Sequence, residues 1–570
     1  MDFENGSEGF GMDAVANQNG LQLRDVFAQT ALAEIPKILT LGDRNPHSPT
    51  YGCFDRNYWQ YKIIDFPTAM SQEFVWPLAL AFTLDYSENP YFQEPKLREW
   101  AVAGIRFAAK SSHPDGSCDD YFPFERAGGA AAFSLLAFIE TYELLGLEEL
   151  DLLEFMGLRA DWLAHHEESG RLTNHQALIV LALERLGQLT GDHRWDGAKA
   201  KRLETVLSWQ DSEGWFQEYE GCDPGYHTLT VSCLARLYQM GLDQRELDRG
   251  NADPRLKDAL IKAVDLAALF VHPDGSFGGE YTSRNTYNFF PHGFELVGRW
   301  YPAALNINDQ IAAGLLAGQG ACYADDHIVG HHVWNYLLTW QDFAGDRPPL
   351  PEPSASRKWL PNARLLVDKR WSKADGINTE LVTLILALNK GGVFKIFRGD
   401  RLIASDTQFS LLVQDKSKIK NAVGHLVDDY DITVEENHIG IQGRLGWAKQ
   451  TQMTSLKLIL LRVVMSVFGR FFPNLIRSLL QKILIVGKQE SPFRFARQFT
   501  WTEKQWRVTD DLQGGDWTTV KSAQLGVDGT SIYVVMSRTF QRGQLQPVWE
   551  LGDRLKQLAP KETLHIERHF

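Results

Sequence analysis

Three short turns written almost alike constrain this chain more than any other feature. They are His113-Pro114-Asp115-Gly116-Ser117, Asp211-Ser212-Glu213-Gly214-Trp215 and His272-Pro273-Asp274-Gly275-Ser276. Proline and glycine at such places stop a helix and reverse the chain. Each turn leads through an aromatic stretch into a new helical pattern, and the turns recur at roughly 60 to 100 residues. That spacing predicts helical hairpins set around an axis rather than a short-period solenoid. Helix follows helix from about residue 50 to residue 340. Ala177-Leu178-Ile179-Val180-Leu181-Ala182-Leu183 is apolar on every side, the pattern of a helix buried all round, as an inner helix of a toroid would be.

Arg347-Pro348-Pro349-Leu350-Pro351-Glu352-Pro353 then reads as a stiff linker. Beyond it the period changes. Val393–Phe397, the turn Arg398-Gly399-Asp400 and Leu402–Ala404 predict a hairpin. Similar short runs stand at His438–Ile441, Gln498–Trp501 and Ile532–Val535. A length of 570 residues is too long for one core. The reading is therefore multidomain α+β. It has a flexible lead-in over 1–45, an (α/α) toroid over 46–342, a proline-rich linker over 343–362 and an antiparallel β-sandwich domain over 363–570. Residues 451–488 break the β pattern. They are strongly apolar and carry Lys457, Arg462, Arg470, Arg477, Lys482 and Lys488 with no acidic residue. Pro473 divides them into two predicted amphipathic helices, interrupted too often by charge to span a bilayer. A basic amphipathic helix suits either an anionic membrane surface or the protein's own acidic surface.

The net charge of −14 argues against a nucleic-acid partner. Cys53, Cys118, Cys222, Cys233 and Cys322 are scattered, without a C-x-x-C pair, which fits a reducing compartment. The N-terminus, Met1-Asp2-Phe3-Glu4-Asn5-Gly6, is acidic and polar and lacks the pattern of a secretory signal. The expected location is the cytoplasm, with attachment at the inner membrane face if residues 451–488 bind lipid.

Chemistry concentrates at two predicted helix starts. Thr173 with Gln176 has the spacing of a capping box, and Asn174-His175 lie between them. Asp223 followed by Pro224 is an N-cap with proline at the first helical position, two residues before Tyr226 and three before His227. Amide, imidazole and phenol at positive helix ends suit an anionic substrate and an anionic transition state.

With these residues the sequence resembles the heparinase II/III-like polysaccharide lyases, which include alginate and heparan lyases. Asn174-His175 and Gly225-Tyr226-His227 carry the resemblance, supported by residues 52–59 and by Gly279-Glu280-Tyr281-Thr282-Ser283-Arg284-Asn285-Thr286. It covers most of the chain and implies β-elimination at a uronic acid in an acidic polysaccharide, with neither cofactor nor metal. The C5 hydrogen of a uronate is barely acidic because its carbanion lies beside a carboxylate. The resemblance implies that Asn174 and His175 neutralise that carboxylate. Tyr226 then removes the proton, and an acid protonates the departing O4. Arg284 reads as a carboxylate clamp through its bidentate fork. His227, Tyr281, His292, Trp215 and Tyr58 complete the expected substrate-binding set, although core packing competes for each aromatic ring.

One departure stands out. Lyases of this group bring a further histidine from the β domain, and residues 391–406 contain none. His425 or His292 would have to replace it, or part of the catalytic set is lost. An impaired toroid that binds an acidic polysaccharide during its synthesis or export is one alternative. A glycoside hydrolase is another; it needs two carboxylates about the bond, from among Asp119, Asp120, Glu218 and Glu220. His327, His331 and His332 resemble a metal cluster, but no third ligand type is fixed, and a polar rim helix is the better reading.

Overall fold

The computed structural model describes residues 22–168, 170–219, 221–246, 252–323, 328–374, 377–448, 454–469, 471–472, 489–526, 530 and 539–570. Its helical part is built from α1 (Leu23–Leu32), α2 (Val75–Thr83), α3 (Pro95–Ser111), α4 (Gly128–Leu144), α5 (Leu150–His165), α6 (Thr173–Thr190), α7 (Asp196–Ser208), α8 (Pro224–Glu246), α9 (Pro254–Ala268), α10 (His292–Gly298), α11 (Ala303–Leu316) and α12 (Ile328–Gln341). Each even-numbered helix packs on the next, from α2 through α12, and α12 packs back on α2, closing a ring. The odd-numbered helices lie outside it, α3 on α2, α5 on α4, α7 on α6, α9 on α8, α11 on α10 and α1 on α12. Sequence pattern explains this division. Residues 177–183 of α6 are all buried, whereas α9 buries a single stripe, Leu256, Ala259, Leu260, Ala263, Val264 and Ala267.

The three similar turns space this ring. In two of them the histidine N–H donates to the serine carbonyl four residues on, at 2.9 Å for His113 to Ser117 and for His272 to Ser276. Asp211 makes the same bond to Trp215 at 2.8 Å. Gly116, Gly214 and Gly275 all have positive φ. A Cβ there would stand 2.4 Å from the Arg159 nitrogen on α5, 2.5 Å from the Lys262 carbonyl on α9 and 2.5 Å from Gly314 Cα on α11. Each turn thus follows one outer helix and presses its backbone on the next outer helix, which only glycine permits.

Residues 22–45 differ from the expected flexible lead-in. α1 buries Val26, Phe27, Ala28, Ala31 and Leu32 and completes the outer layer. Arg24 donates to the Trp340 carbonyl at 2.7 Å, and its guanidinium lies 3.9 Å from the centre of that indole. The lead-in before residue 22 lies outside the described residues.

The β part has a five-stranded antiparallel sheet of β1 (Ser356–Leu360), β2 (Leu365–Ala374), β3 (Ile377–Ala387), β4 (Val393–Arg398) and β5 (Arg401–Asp406), paired in that order. A second antiparallel sheet contains β6 (Phe409–Asp415), β7 (Lys418–Val423), β8 (Asp431–Val434), β9 (His438–Ala448), β10 (Glu490–Trp501), β11 (Trp506–Gln513), β12 (Val520–Leu525), β13 (Trp549–Glu550) and β14 (Leu564–His569). Its order is β13-β12-β6-β7-β9-β10-β11-β14, with β8 on β9. Leu384, Phe394 and Ile396 of the first sheet share one apolar core with Phe409, Ile439, Phe499 and Val508 of the second. The strand expected over 532–535 lies outside the described residues. The linker is shorter than its composition implied, because Ser356–Leu360 pairs with Leu365–Lys369 as an edge strand. The prolines end before that strand begins, so its ladder is intact.

The two parts are joined by buried polar contacts. Lys390 Nζ donates to the Thr282 carbonyl and, at 2.9 Å, to Thr530 Oγ1; Lys395 pairs with Glu280 at 2.9 Å. The β part therefore grips the loop between α9 and α10, which carries Arg284.

Candidate functional site

Phe133, in the second turn of α4, stacks on His331 near the start of α12, with ring centroids 3.7 Å apart, and meets His175 at the start of α6 edge-on. The N-terminal ends of these inner helices therefore share one rim of the ring. Asn174, His175 and Tyr226 all lie on it.

α6 is capped differently from the sequence expectation. Thr173 donates its hydroxyl to the Gln217 carbonyl at 2.6 Å, and Gln176 accepts from Arg202 at 2.6 Å, so no capping box forms. A carboxylate from elsewhere takes over. Glu218 Oε1 accepts from the Asn174 backbone N–H at 2.9 Å, and Oε2 accepts from its Nδ2 at 2.6 Å. An anion at a helix N-terminus is favoured by the exposed amides and the macrodipole. Glu218 lies on a two-strand hairpin, Gln217–Glu218 with Gly221–Cys222, directly before α8. Tyr219, in its turn, holds φ at +56°.

Asp223 caps α8 as expected, its Oδ1 accepting from the Tyr226 N–H at 2.9 Å. The same carboxylate accepts from the Arg284 N–H at 3.0 Å and from Thr286 Oγ1. It thereby pins the α9–α10 loop to the start of α8. A Cβ on Gly225 would stand 2.3 Å from Thr286 Oγ1, so glycine is required for this approach. As a result the Arg284 guanidinium lies 3.9 Å from the centre of the Tyr226 ring and 5.0 Å from that of Tyr219. It stands 3.7 Å from Glu218 Oε2, an ion pair too long for a hydrogen bond.

Electrostatics follow from this packing. Burial pushes the Glu218 carboxyl up to about 7, although Arg284, Asn174 and His175 pull it down. Burial also opposes the charge of Arg284, but Tyr226, Tyr219, Glu218 and Asp223 outweigh it and hold the guanidinium above its ordinary value. Arg284 Nε and Nη1 and Asn174 Oδ1 are buried and have no hydrogen-bond partner among the described residues. Buried polar groups are almost always paired, so these atoms mark a place for a ligand. His175 is oriented by Glu168, whose Oε2 stands 2.7 Å from Nδ1, and its ring lies against Gly129, where a Cβ would stand 2.5 Å from Cε1.

Other expected site residues have different work. His227 Nε2 donates to the Ala263 carbonyl at 2.9 Å, while Nδ1 accepts from the Phe216 N–H; burial lowers its pKa to about 4. Both ring nitrogens are committed, so it is a core histidine rather than a substrate ligand. Tyr281 is fully buried, stacked on Phe270 and hydrogen-bonded to His272 at 2.9 Å. His292 pairs with Asp342 at 2.8 Å, one residue past the C-terminal end of α12 and so toward the opposite rim. Trp215 donates to Glu213 at 3.0 Å, and Glu213 in turn accepts from the Asn362 and Ala363 N–H groups, so that turn seats the β part. Tyr58 packs near Phe107. None of these five joins the cluster around Arg284. His425 is buried in the β part, with Nδ1 3.0 Å from the Thr407 carbonyl and a pKa lowered to about 4, first by burial and then by Lys390.

His331 binds Glu73 at 2.6 Å, and His332 turns to the Ile328 carbonyl at 3.0 Å; His327 lies outside the described residues. Among the described residues no group of three His, Cys, Asp or Glu side chains is arranged to hold a metal. Sequence reasoning named Glu218 only as a candidate hydrolase carboxylate and placed neither Tyr219 nor Glu168 at the site. The signal for Glu218 was its position five residues before the Asp223 cap, but nothing local showed that it would cap a different helix.

No family model matches the chain, and no curated protein matches it. Among solved structures it is similar to polysaccharide lyases. A xanthan lyase from Paenibacillus is 10% identical over 90% of this chain, with a TM-score of 0.49. This chain spans 48%, about half, of that protein's length. A chondroitin AC lyase mutant from Streptomyces coelicolor is 9% identical over 91% of this chain and 70% of its own, with a TM-score of 0.47. A heparan sulfate lyase mutant from Pedobacter heparinus is 14% identical over 92% and 72%, with a TM-score of 0.38.

Proposed function

We propose that the closed double ring is an (α/α) toroid, that the two-sheet part is a β-sandwich, and that the protein cleaves a uronate-containing polysaccharide by β-elimination. One observation carries the reading. A buried arginine whose Nε and Nη1 have no hydrogen-bond partner among the described residues lies across a tyrosine ring, beside an asparagine whose side-chain oxygen likewise has none there and a carboxyl that titrates near neutrality. Arg284 and His175 supply cationic or donor groups for a uronate carboxylate, and Asn174 is held beside them by Glu218. Neutralising that carboxylate lets negative charge build at C5. Tyr226 Oη then takes the C5 proton, the C5–H electron pair becomes the C4=C5 double bond as the C4–O4 bond breaks, and Tyr226 hands the same proton to the departing O4. With Glu218 protonated the cluster around Arg284 gains a net positive charge, which favours an anionic sugar.

The test is a panel of uronate polymers assayed for the near-ultraviolet absorbance of unsaturated products, with Tyr226→Phe as the comparison. The phenol's loss should cost about 10²- to 10⁴-fold in kcat, the usual worth of a general acid–base group, with the fold unchanged. Hydrolytic products lacking that absorbance would support a glycoside hydrolase using Glu218 as its acid. Uronate binding without turnover would support the binding-protein alternative.

A further inference from the structure

The helix Ser455–Val464, α13, interrupts the second sheet between β9 and β10. Thr454 caps it, its hydroxyl accepting from the Lys457 N–H at 3.3 Å. Every residue from Thr454 through Leu460 is exposed. A ten-residue helix without tertiary support is marginal in water, and this one exposes leucine and isoleucine rather than polar side chains.

Its two faces differ. Arg462, Met465 and Gly469 recur at i, i+3 and i+7 and turn toward the protein, with Met465 and Gly469 buried. Arg462 fixes this face, pairing with Asp65 at 3.0 Å and lying over the Phe66 ring. Leu456, Leu460, Val463 and Val467 recur at i, i+4, i+7 and i+11 on the opposite side and are 77%, 61%, 52% and 51% exposed. Phe471 and Phe472 follow and are also exposed. Across the Asp65 contact, Tyr61 and Ile63 extend the apolar surface onto the helical part. That loop runs directly into residues 70–74, which precede α2 on the rim that holds the candidate site.

We infer that this face docks the protein on an anionic lipid surface. Charge selects lipid over a protein partner. The segment 451–488 carries basic residues and no acidic one in a chain of net charge −14, the complement of a negatively charged bilayer. No described helix is long and apolar enough to cross a membrane. Docking here sets the mouth of the site beside the bilayer. This inference stands apart from the lyase reading, since it rests on other residues.

The experiment is flotation of the full-length protein with vesicles of phosphatidylcholine alone and with one-third phosphatidylglycerol, at low and at physiological salt. The wild type should float with the anionic vesicles, less so as salt rises. Leu456→Asp combined with Leu460→Asp and Val463→Asp should lower partitioning at least tenfold. Lys457→Glu should lower it by about fivefold or more, since each basic side chain near such a surface contributes about that factor. All three substituted apolar side chains are solvent-facing, so thermal unfolding should be unchanged, which separates loss of docking from loss of fold. Equal flotation of wild type and triple variant overturns the inference. So does a dimer that the triple variant dissolves, with no vesicle binding by the wild type, because the face would then belong to a second copy. Turnover of a soluble uronate polymer should be the same in both proteins, so failure of docking and failure of the lyase reading remain distinguishable.

Discussion

Replacing Glu218 by glutamine should change how stability depends on pH, by an amount the structure sets. The carboxyl is fully buried, and burial raises its pKa from 4.5 to about 7. Between those values the folded protein holds a proton that the unfolded chain has released. Stability contributed by that proton is fully present below about pH 4.5 and is lost as pH rises through about 7. A rise of that size corresponds to about 3 kcal/mol across the interval. Glutamine has nearly the same shape, keeps an oxygen for the Asn174 N–H and does not titrate. Urea unfolding of both proteins at intervals from pH 4 to 9 reads the difference directly. The wild type should lose about 3 kcal/mol relative to Glu218→Gln between pH 4.5 and 7.5, with most of the loss complete by pH 8. Turnover by the variant should lose its dependence on pH near neutrality, whatever its absolute rate. Parallel stability curves for the two proteins would falsify the assignment of a neutral carboxyl to the cap of α6.

Arg284→Met should leave the fold intact and lower kcat/KM for a uronate polymer by about tenfold to a hundredfold, the worth of a hydrogen-bonded charge; an unchanged value would remove Arg284 from carboxylate binding. His227→Ala should cost about 1 to 3 kcal/mol in urea unfolding, because the Ala263 carbonyl and Phe216 N–H lose their partner. Near its own optimum, the folded variant should keep turnover within a fewfold. In the β part, Arg497 sits between Asp406 and Asp510, with Arg568 bonded to the same two carboxylates. Arg497→Leu should destabilise by about 3 to 5 kcal/mol through the uncompensated buried charge. Burial opposes ionisation of Asp406, but Arg497 and Arg568 prevail and hold its pKa at about 2. The wild type's share of stability from this carboxylate should therefore be present above about pH 4 and lost as pH falls through about 2, which acid unfolding monitored by circular dichroism would show.

Some features were legible because they are local. Glycine in the three turns and proline in two of them, the all-round apolarity of residues 177–183 and the cap at Asp223 act within a few residues of themselves. So did the hairpin over 393–404, where Phe397 pairs with Leu402 and Arg398 with Arg401. α1 was underread because its apolar stripe is short and follows a polar, glycine-rich run; its partner, α12, lies some 300 residues later.

The site divides the same way. Sequence alone set Asn174, His175 and Tyr226 at helix starts, because capping residues and the first turn of a helix are neighbours in the chain. Only tertiary structure decided what surrounds them. The capping box at Thr173 was displaced by Glu218, whose carboxylate comes from 44 residues away and binds two donors of Asn174 at once. Arg284 reached Tyr226 only because Asp223 accepts from both of their backbone amides, across a gap of 61 residues. His227 and Tyr281 were lost to the core for the same reason: a histidine beside a tyrosine at a helix start points another way, and which way is buried depends on where α9 packs. Local signals fix where a helix begins. Burial, charge pairing and hydrogen-bond satisfaction between distant segments fix what its first residues can do.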